Sequence, residues 1–593
     1  MPASRRNGVA IMISKRFLSI AVFASIALLL LTPVALTAEA GRHVAQYNPV
    51  ISSITPTSGS PGTIVTINGS GFGDTRDSVG GPSHVEICDS AVLDYPAWTN
   101  TEIKAIVPWD TTPGPGPVTV IAGKTPSNSD KIFNVTYAVY FAEGTCRPNF
   151  DTYFCIQNPG STAADVTLTY MKGDGTTTSD QLVVAPNSRS TVTPRAKLGT
   201  GDDAAHDFST RIECTNGQQI VAERPMYFNY NGVWTGGHVV MGLVGPGSSY
   251  VFAEGTCRPN FDTYFCIQNP GSTVANVNIT YTKGDGTNVE DPVNIDPHSR
   301  ATINPRVKLG TGDDAAHDFS TSVSCEYYAQ AIIVERPMYF NYKGIWTGGH
   351  DVMGTSWSNS FFAEGTCRPG FDTYICLYTR LFGHDSSSVT ITYMKGDGAT
   401  VTQVVPVGNS RKTIRVKDVL GEGDDAAHDF SFRVEMQQPT TSGQRNVNVN
   451  IYDEMFVERP MYFNYQGKWT GGHDSTGAGA VSSFYFAEGT CRPNFDTYFC
   501  ILNPGDYDAD ITITYMKGDG TTVTQQMTVP RHSRSTVNVR SKLGQGDDAA
   551  HDFSTRVECT NGQKIIVERP MYFNYKGIWT GGHDVVGFYT VVR

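Results

Sequence analysis

Four near-copies of one segment occupy most of the chain and limit what it can fold into. The phrase FAEGTCRP begins at Phe141, Phe252, Phe362 and Phe486, so successive copies start 111, 110 and 124 residues apart. Each copy continues through FDTY, a cysteine, KGDG and GDDAAHDFS, and closes with ERPMYFNY and WTGGH. A period of this length exceeds the ~20–50 residues of most solenoid and propeller repeats and fits a small domain with its own core. The expected arrangement is therefore beads on a string rather than one closed ring. The joints at 242–249, 354–360 and 475–483 are short and rich in small residues, so neighbouring beads should touch. The third copy is longer through a polar insertion near 439–450, which reads as an extended hairpin or loop.

Within a copy the pattern is that of strands. Residues 166–170 alternate and are rich in β-branched side chains. They run into Gly173-Asp174-Gly175, and Asp-Gly between strands is a strong hairpin signal. Residues 190–193 and 208–214 alternate likewise, and 220–230 is the longest strand candidate. Pro225 inside it predicts a bulge or an edge position, because proline cannot donate to the ladder. No segment reads as a capped amphipathic helix; 203–206 makes one turn at most. Seven or eight short strands in ~110 residues is the pattern of a sandwich. The expected fold is all-β: tandem β-sandwich modules at 138–247, 248–358, 359–481 and 482–593, preceded by a smaller module at 48–137.

Residues 1–40 read as an export signal. Arg5, Arg6, Lys15 and Arg16 form a basic start, 21–36 is an apolar run, and Ala38-Glu39-Ala40 is a small-residue cleavage site. The alternative is an uncleaved N-terminal anchor. The segment carries four basic residues and one acidic one, so its removal takes the formal charge from −12 to −15. That balance opposes binding to nucleic acid or anionic lipid. No other stretch has the length and apolarity of a membrane span. The expected location is secreted or extracellular, with peripheral attachment to the cell surface left open.

The module at 48–137 has its own signature: Ile54, Pro56, Ser58-Gly59, Gly62, Val65, Ile67, Gly69 and Gly71-Phe72, followed by strand-like segments at 101–108 and 116–120. In these residues it resembles the IPT/TIG family of Ig-like domains. The resemblance implies an Ig-like sandwich, a spacer or binding module of bacterial surface proteins, and no catalysis. The four copies resemble tandem repeats of uncharacterised secreted bacterial proteins, a likeness that implies export and a modular β fold but names no activity.

Twelve cysteines in an exported chain point to disulfides. The spacing present in every copy is C-x8-C, predicting the bridges Cys146–Cys155, Cys257–Cys266, Cys367–Cys376 and Cys491–Cys500. The rival pairing of the second and third cysteines leaves Cys376 alone, since Met436 stands at the third place in that copy. The partners of Cys88 and of Cys214, Cys325 and Cys559 stay open.

Three constellations invite a functional reading. In Asp202, Asp203, His206 and Asp207, and their repeats, three carboxylates and a histidine stand close together. The spacing is not that of a calcium loop, and a polar connection with Asp caps accounts for it. Glu223-Arg224 recurs in every copy; its side chains face opposite ways on a strand, and a buried Arg224 needs an acid, with Glu143 or Asp151 as candidates. Trp234, Trp346, Trp469 and Trp579, beside Tyr and Phe clusters, form a candidate ligand surface for sugars, or simply pack. No HExxH, GxSxG or Walker motif occurs. No catalytic residue, metal or cofactor is expected. The leading expectation is a non-catalytic scaffold for adhesion or assembly, its partner a surface protein or polysaccharide. The alternative is carbohydrate binding; a hydrolase using His206 comes third.

Overall fold

Strands that are buried at every position set the architecture. In the computed structural model, which describes residues 48–76, 83–109, 111–326, 330–355, 361–381, 387–437 and 453–589, Tyr137–Phe141 and Phe154–Asn158 have no exposed residue. Successive side chains on a strand point to opposite faces, so such a strand must be covered on both. Val139 and Phe141 enter the core of their own repeat, with Phe154, Ile156, Leu168, Tyr170 and Phe208. Ala138, Tyr140 and Ala142 pack instead on Cys266 and Ile333 of the second repeat.

Each repeat is a sandwich of two antiparallel sheets. In the first, one sheet has the order Thr177–Val184, Ala164–Lys172, Phe208–Cys214, Tyr137–Phe141, Leu243–Val244. The other runs from Ser188–Val192 through Phe154–Asn158 and Phe150–Thr152 to Val221–Tyr230, which pairs with Trp234–Met241. The hairpin expected at Gly173-Asp174-Gly175 joins Ala164–Lys172 to Thr177–Val184, with Asp174 Oδ1 accepting from the Thr176 amide at 2.9 Å. Pro225 departs from expectation. It lies in a strand paired on both sides, and the ladder is interrupted opposite it, where Tyr153 donates its amide to the Pro225 carbonyl at 3.0 Å.

The four sandwiches close into a ring, which corrects the expectation of beads on a string. One sheet of each repeat packs on the opposite sheet of the next: first on second through Ala138, Tyr140 and Ile333, second on third through Val251, Ala253 and Phe456. The core of the fourth takes in Ala363 of the third, and Ala487 of the fourth packs on Cys155 and Val221 of the first. Arginine latches repeat the same circle. Arg189 donates to the Gly489 carbonyl at 3.0 Å, Arg534 to the Gly365 carbonyl at 2.9 Å, and Arg411 to the Gly255 carbonyl.

The strands Trp234–Met241, Trp346–Met353, Trp469–His473 and Trp579–His583 line the axis of this ring. Gly236, Gly348, Gly471 and Gly581 meet there. A Cβ on Gly236 would stand 3.0 Å from the Gly348 backbone, one on Gly348 3.0 Å from Gly471, one on Gly471 3.0 Å from Gly582, and one on Gly581 3.1 Å from Gly236. The repeated glycine of WTGGH is thus set by the approach of four backbones, and only a residue without a side chain permits it.

Residues 48–137 form a separate two-sheet module around Ile51, Val65, Ile67, Phe72, Val118 and Phe133. It runs directly into the first strand of the ring and touches it where Arg211 donates to Ser60 Oγ at 3.2 Å. No helix among the described residues is long and apolar enough to cross a membrane. The export segment 1–40 and the insertion near 439–450 lie outside the described residues.

Candidate functional site

The Glu-Arg pairs build the junctions of the ring. Because neighbours on a strand face opposite ways, Glu223 points toward the fourth repeat and Arg224 toward the second. Arg224, fully buried, reaches Glu143 of its own repeat at 2.7 Å and, in the second repeat, Glu335 at 2.8 Å and Asp351 at 2.6 Å. Arg336 does the same with Glu254 (3.1 Å), Glu458 (2.6 Å) and Asp474 (2.7 Å), and Arg459 with Glu364 (2.6 Å), Glu568 (2.9 Å) and Asp584 (2.5 Å). Arg569 closes the circle on Glu488 at 2.7 Å and Glu223 at 2.9 Å. The glutamates also serve the neighbour's backbone: Glu335 accepts from the Ala142 amide at 2.7 Å and Glu223 from the Ala487 amide at 2.7 Å. Of the two acids expected for Arg224, Glu143 is the partner. Asp151 instead meets Arg195, Tyr575 and Lys576.

The fourth junction lacks one carboxylate. Asp351, Asp474 and Asp584 follow the histidine of WTGGH in three repeats, but Val239 stands there in the first. Beside each junction lies a buried histidine, His238, His350, His473 or His583, none with a hydrogen-bond partner on either ring nitrogen. His238 Nδ1 lies 4.0 Å from Asp351 Oδ2, and His350 Nδ1 4.0 Å from Asp474 Oδ2.

Burial governs protonation here. It pushes the carboxyls of Glu143, Glu223 and Glu364 up to about 7 and that of Asp474 up to about 8, with neighbouring carboxylates adding to the rise and the guanidinium opposing it. It drives the imidazoles down, His473 to about 3 and His583 to about 4. A carboxyl held above its unfolded value, 4.5 for Glu and 3.8 for Asp, contributes stability that is present below that value and lost as pH rises to about 7–8. An imidazole held below 6.5 contributes stability present above pH 6.5 and lost as pH falls to about 3–4. The thermal midpoint is therefore expected to peak between pH 4.5 and 6.5 and to fall on both sides. Calorimetry across this range checks it; a midpoint rising steadily from pH 6.5 to 8 would contradict the assignment.

Each of the four tryptophans closes a hairpin whose second strand carries one of the glycines that meet at the axis, two residues further on. Trp234 tilts on Tyr230 at 5.8 Å, and Tyr230 stacks on Tyr339 of the next repeat at 4.2 Å. The same ladder recurs with Trp346 on Tyr342, Trp469 on Tyr465 and Trp579 on Tyr575, each Tyr stacked on the neighbouring repeat at 4.1 Å. The indoles are half-buried, and beside them the hairpin tips carry Val233, Ile345 and Ile578, exposed by 67%, 67% and 66%.

The cysteine expectation is corrected. All twelve cysteines are free, and Cys146–Cys155, Cys257–Cys266, Cys367–Cys376 and Cys491–Cys500 do not bridge. Cys146 belongs to the interior of its sandwich, whereas Cys155 faces the fourth repeat beside Ala487. Spacing along the chain placed them together, but the sheet puts them on opposite faces. In the aspartate-rich loop, Arg147 holds Asp207 through two bonds of 2.9 and 2.8 Å and Asp202 at 2.5 Å. Asp203 caps the turn Ala204–His206 and holds His206 Nδ1 at 2.7 Å. These carboxylates are occupied in bracing the loop. Among the described residues, the groupings with metal-ligand geometry lie instead at the junctions: Glu143, His238, Asp351; Glu254, His350, Asp474; Glu364, His473, Asp584. The histidine and following aspartate of GGHD show no ligand spacing along the chain, because in each grouping the histidine meets the aspartate of the next repeat only across the junction. The signal available was the single replacement of that aspartate, by Val239.

Residues 49–137 match the family model described as the IPT/TIG domain. Over 103 residues the chain is 36% identical to a cyclomaltodextrin glucanotransferase of Paenibacillus macerans, a match covering 16% of this chain and only 14% of that protein's length. Among solved structures, the Anabaena sensory rhodopsin transducer is 27% identical over 15% of this chain and 94% of its own, with a TM-score of 0.13. A Thermotoga maritima protein, 1070, is 18% identical over 18% of this chain and 95% of its own, with a TM-score of 0.17.

Proposed function

We propose that the chain is a non-catalytic, secreted or cell-surface scaffold whose ring attaches to polysaccharide through the axial crown of Trp234, Trp346, Trp469 and Trp579. The observation that carries this reading is the presentation of four equivalent Trp–Tyr ladders around one axis. Aromatic faces stack on sugar rings, and four copies multiply a weak contact into avidity without new chemistry. The IPT/TIG module and the limited likeness to a glucanotransferase support a carbohydrate setting.

A glycan array probed with the intact protein tests the reading. Selective retention is expected. Trp234→Ala should weaken it a fewfold, and replacement of all four tryptophans should lower it by about 100-fold or more, as loss of multivalency requires. Retention that survives the fourfold replacement would place the sugar contact elsewhere. Absence of any retention would leave adhesion to a surface protein as the role of the scaffold.

A further inference from the structure

We propose that three of the four ring junctions are binding sites for a divalent ion of the zinc class, each formed by two carboxylates and one imidazole: Glu143, His238 and Asp351; Glu254, His350 and Asp474; Glu364, His473 and Asp584. In each set the ligand atoms lie within 4.8 Å of one another, and all nine residues are buried. Two ligands on one ion at ~2.1 Å stand at most ~4.2 Å apart, so small side-chain rotations complete the site. Each set draws its glutamate and histidine from one repeat and its aspartate from the next, so an ion would bridge the units.

A separate observation points to a ligand. His238, His350 and His473 are 1% exposed, sit against the carboxylates, and have no hydrogen-bond partner at either ring nitrogen. A buried imidazole without partners is costly, and a metal bond satisfies it. Asp351 and Asp584 also keep an Oδ1 without a partner, whereas Asp474 Oδ1 accepts from the Ser475 amide at 2.8 Å.

The arginine does not take the ion's place. Arg224 engages Glu335, Asp351 Oδ2 and Glu143, but it contributes one positive charge against three carboxylates. One guanidinium does not offset three ionised carboxyls, so an ion that binds here takes the place of the protons those buried carboxyls otherwise retain. Imidazole with carboxylate is a ligand set suited to zinc and its neighbours rather than to calcium.

The fourth junction is an internal control. Glu488 and His583 are present there, 3.8 Å apart, but Val239 replaces the aspartate and only two carboxylates face Arg569. One ligand is missing and the charge excess is halved.

The test is metal analysis of the untagged full-length protein, produced in zinc-enriched medium and passed through gel filtration. Three zinc ions per chain are expected. Asp351→Asn should lower the count to two, and Val239→Asp, which restores the missing ligand, should raise it to four. Cobalt-grown protein should show visible ligand-field absorption that changes in step. Less than one ion per chain overturns the proposal. So does a count of three that neither variant moves, because the ions would then lie elsewhere. Val239→Asp adds a ligand rather than removing one, so misfolding of Asp351→Asn cannot decide the outcome.

Discussion

Arg336→Met is expected to destabilise the ring by about 3–5 kcal/mol, the range for breaking a buried ion pair by removing one partner. The arginine is fully buried, and its loss leaves Glu254, Glu458 and Asp474 packed together without the guanidinium that pairs them. Urea denaturation measures the loss. The cause can be isolated: adding Glu458→Gln and Asp474→Asn to Arg336→Met removes two of the stranded charges and should restore a large part of the stability. Arg147→Met gives the contrast, since that side chain is about one-third exposed and its bonds hold a surface loop; a loss of about 1 kcal/mol or less is expected there. Equal losses for the two variants would mean that the junctions do not hold the ring together.

Removing the fourth repeat should have the larger consequence. A chain ending at residue 481 uncovers Cys155 and Val221 on the first repeat and Ala363 on the third, which pack on the fourth in the intact protein. Each fully buried large apolar side chain contributes roughly 1.5–3 kcal/mol. The deletion also strips Glu223 of Arg569, and Arg459 of Glu568 and Asp584. The truncated chain is expected to aggregate or to pair with a second copy through its two open faces. Light scattering after gel filtration measures this, and limited proteolysis of the intact protein should release no stable single repeat. A monomeric, protease-resistant truncated chain would show that the repeats stand alone.

The pH maximum expected for the junctions follows from the same burial. Carboxyls that resist ionisation and imidazoles that resist protonation oppose each other between pH 4.5 and 6.5, and outside that interval one set acts alone.

Local chemistry was legible wherever it depended on neighbours in sequence. The alternation of 166–170 and the Asp-Gly turn after it predicted the hairpin that forms, because strand periodicity and turn geometry act over a few residues. The opening motif of 48–137 pointed to the Ig-like module that matches the IPT/TIG family. The need of a buried arginine for an acid led to Glu143. The cysteine spacing misled, since eight intervening residues say nothing of which face of a sheet each thiol occupies.

By itself, then, the sequence determined the strands, the turns and the fourfold repetition; that strands such as 137–141 are buried on a second face emerged from the structure. Only the tertiary structure decided what covers that face. Closure brings Gly581 against Gly236 and Arg569 against Glu223 across hundreds of residues. Four equal units can lie in a row or a circle with the same local preferences, and the difference rests on the angle at which one sandwich packs on the next, which no short stretch of chain encodes.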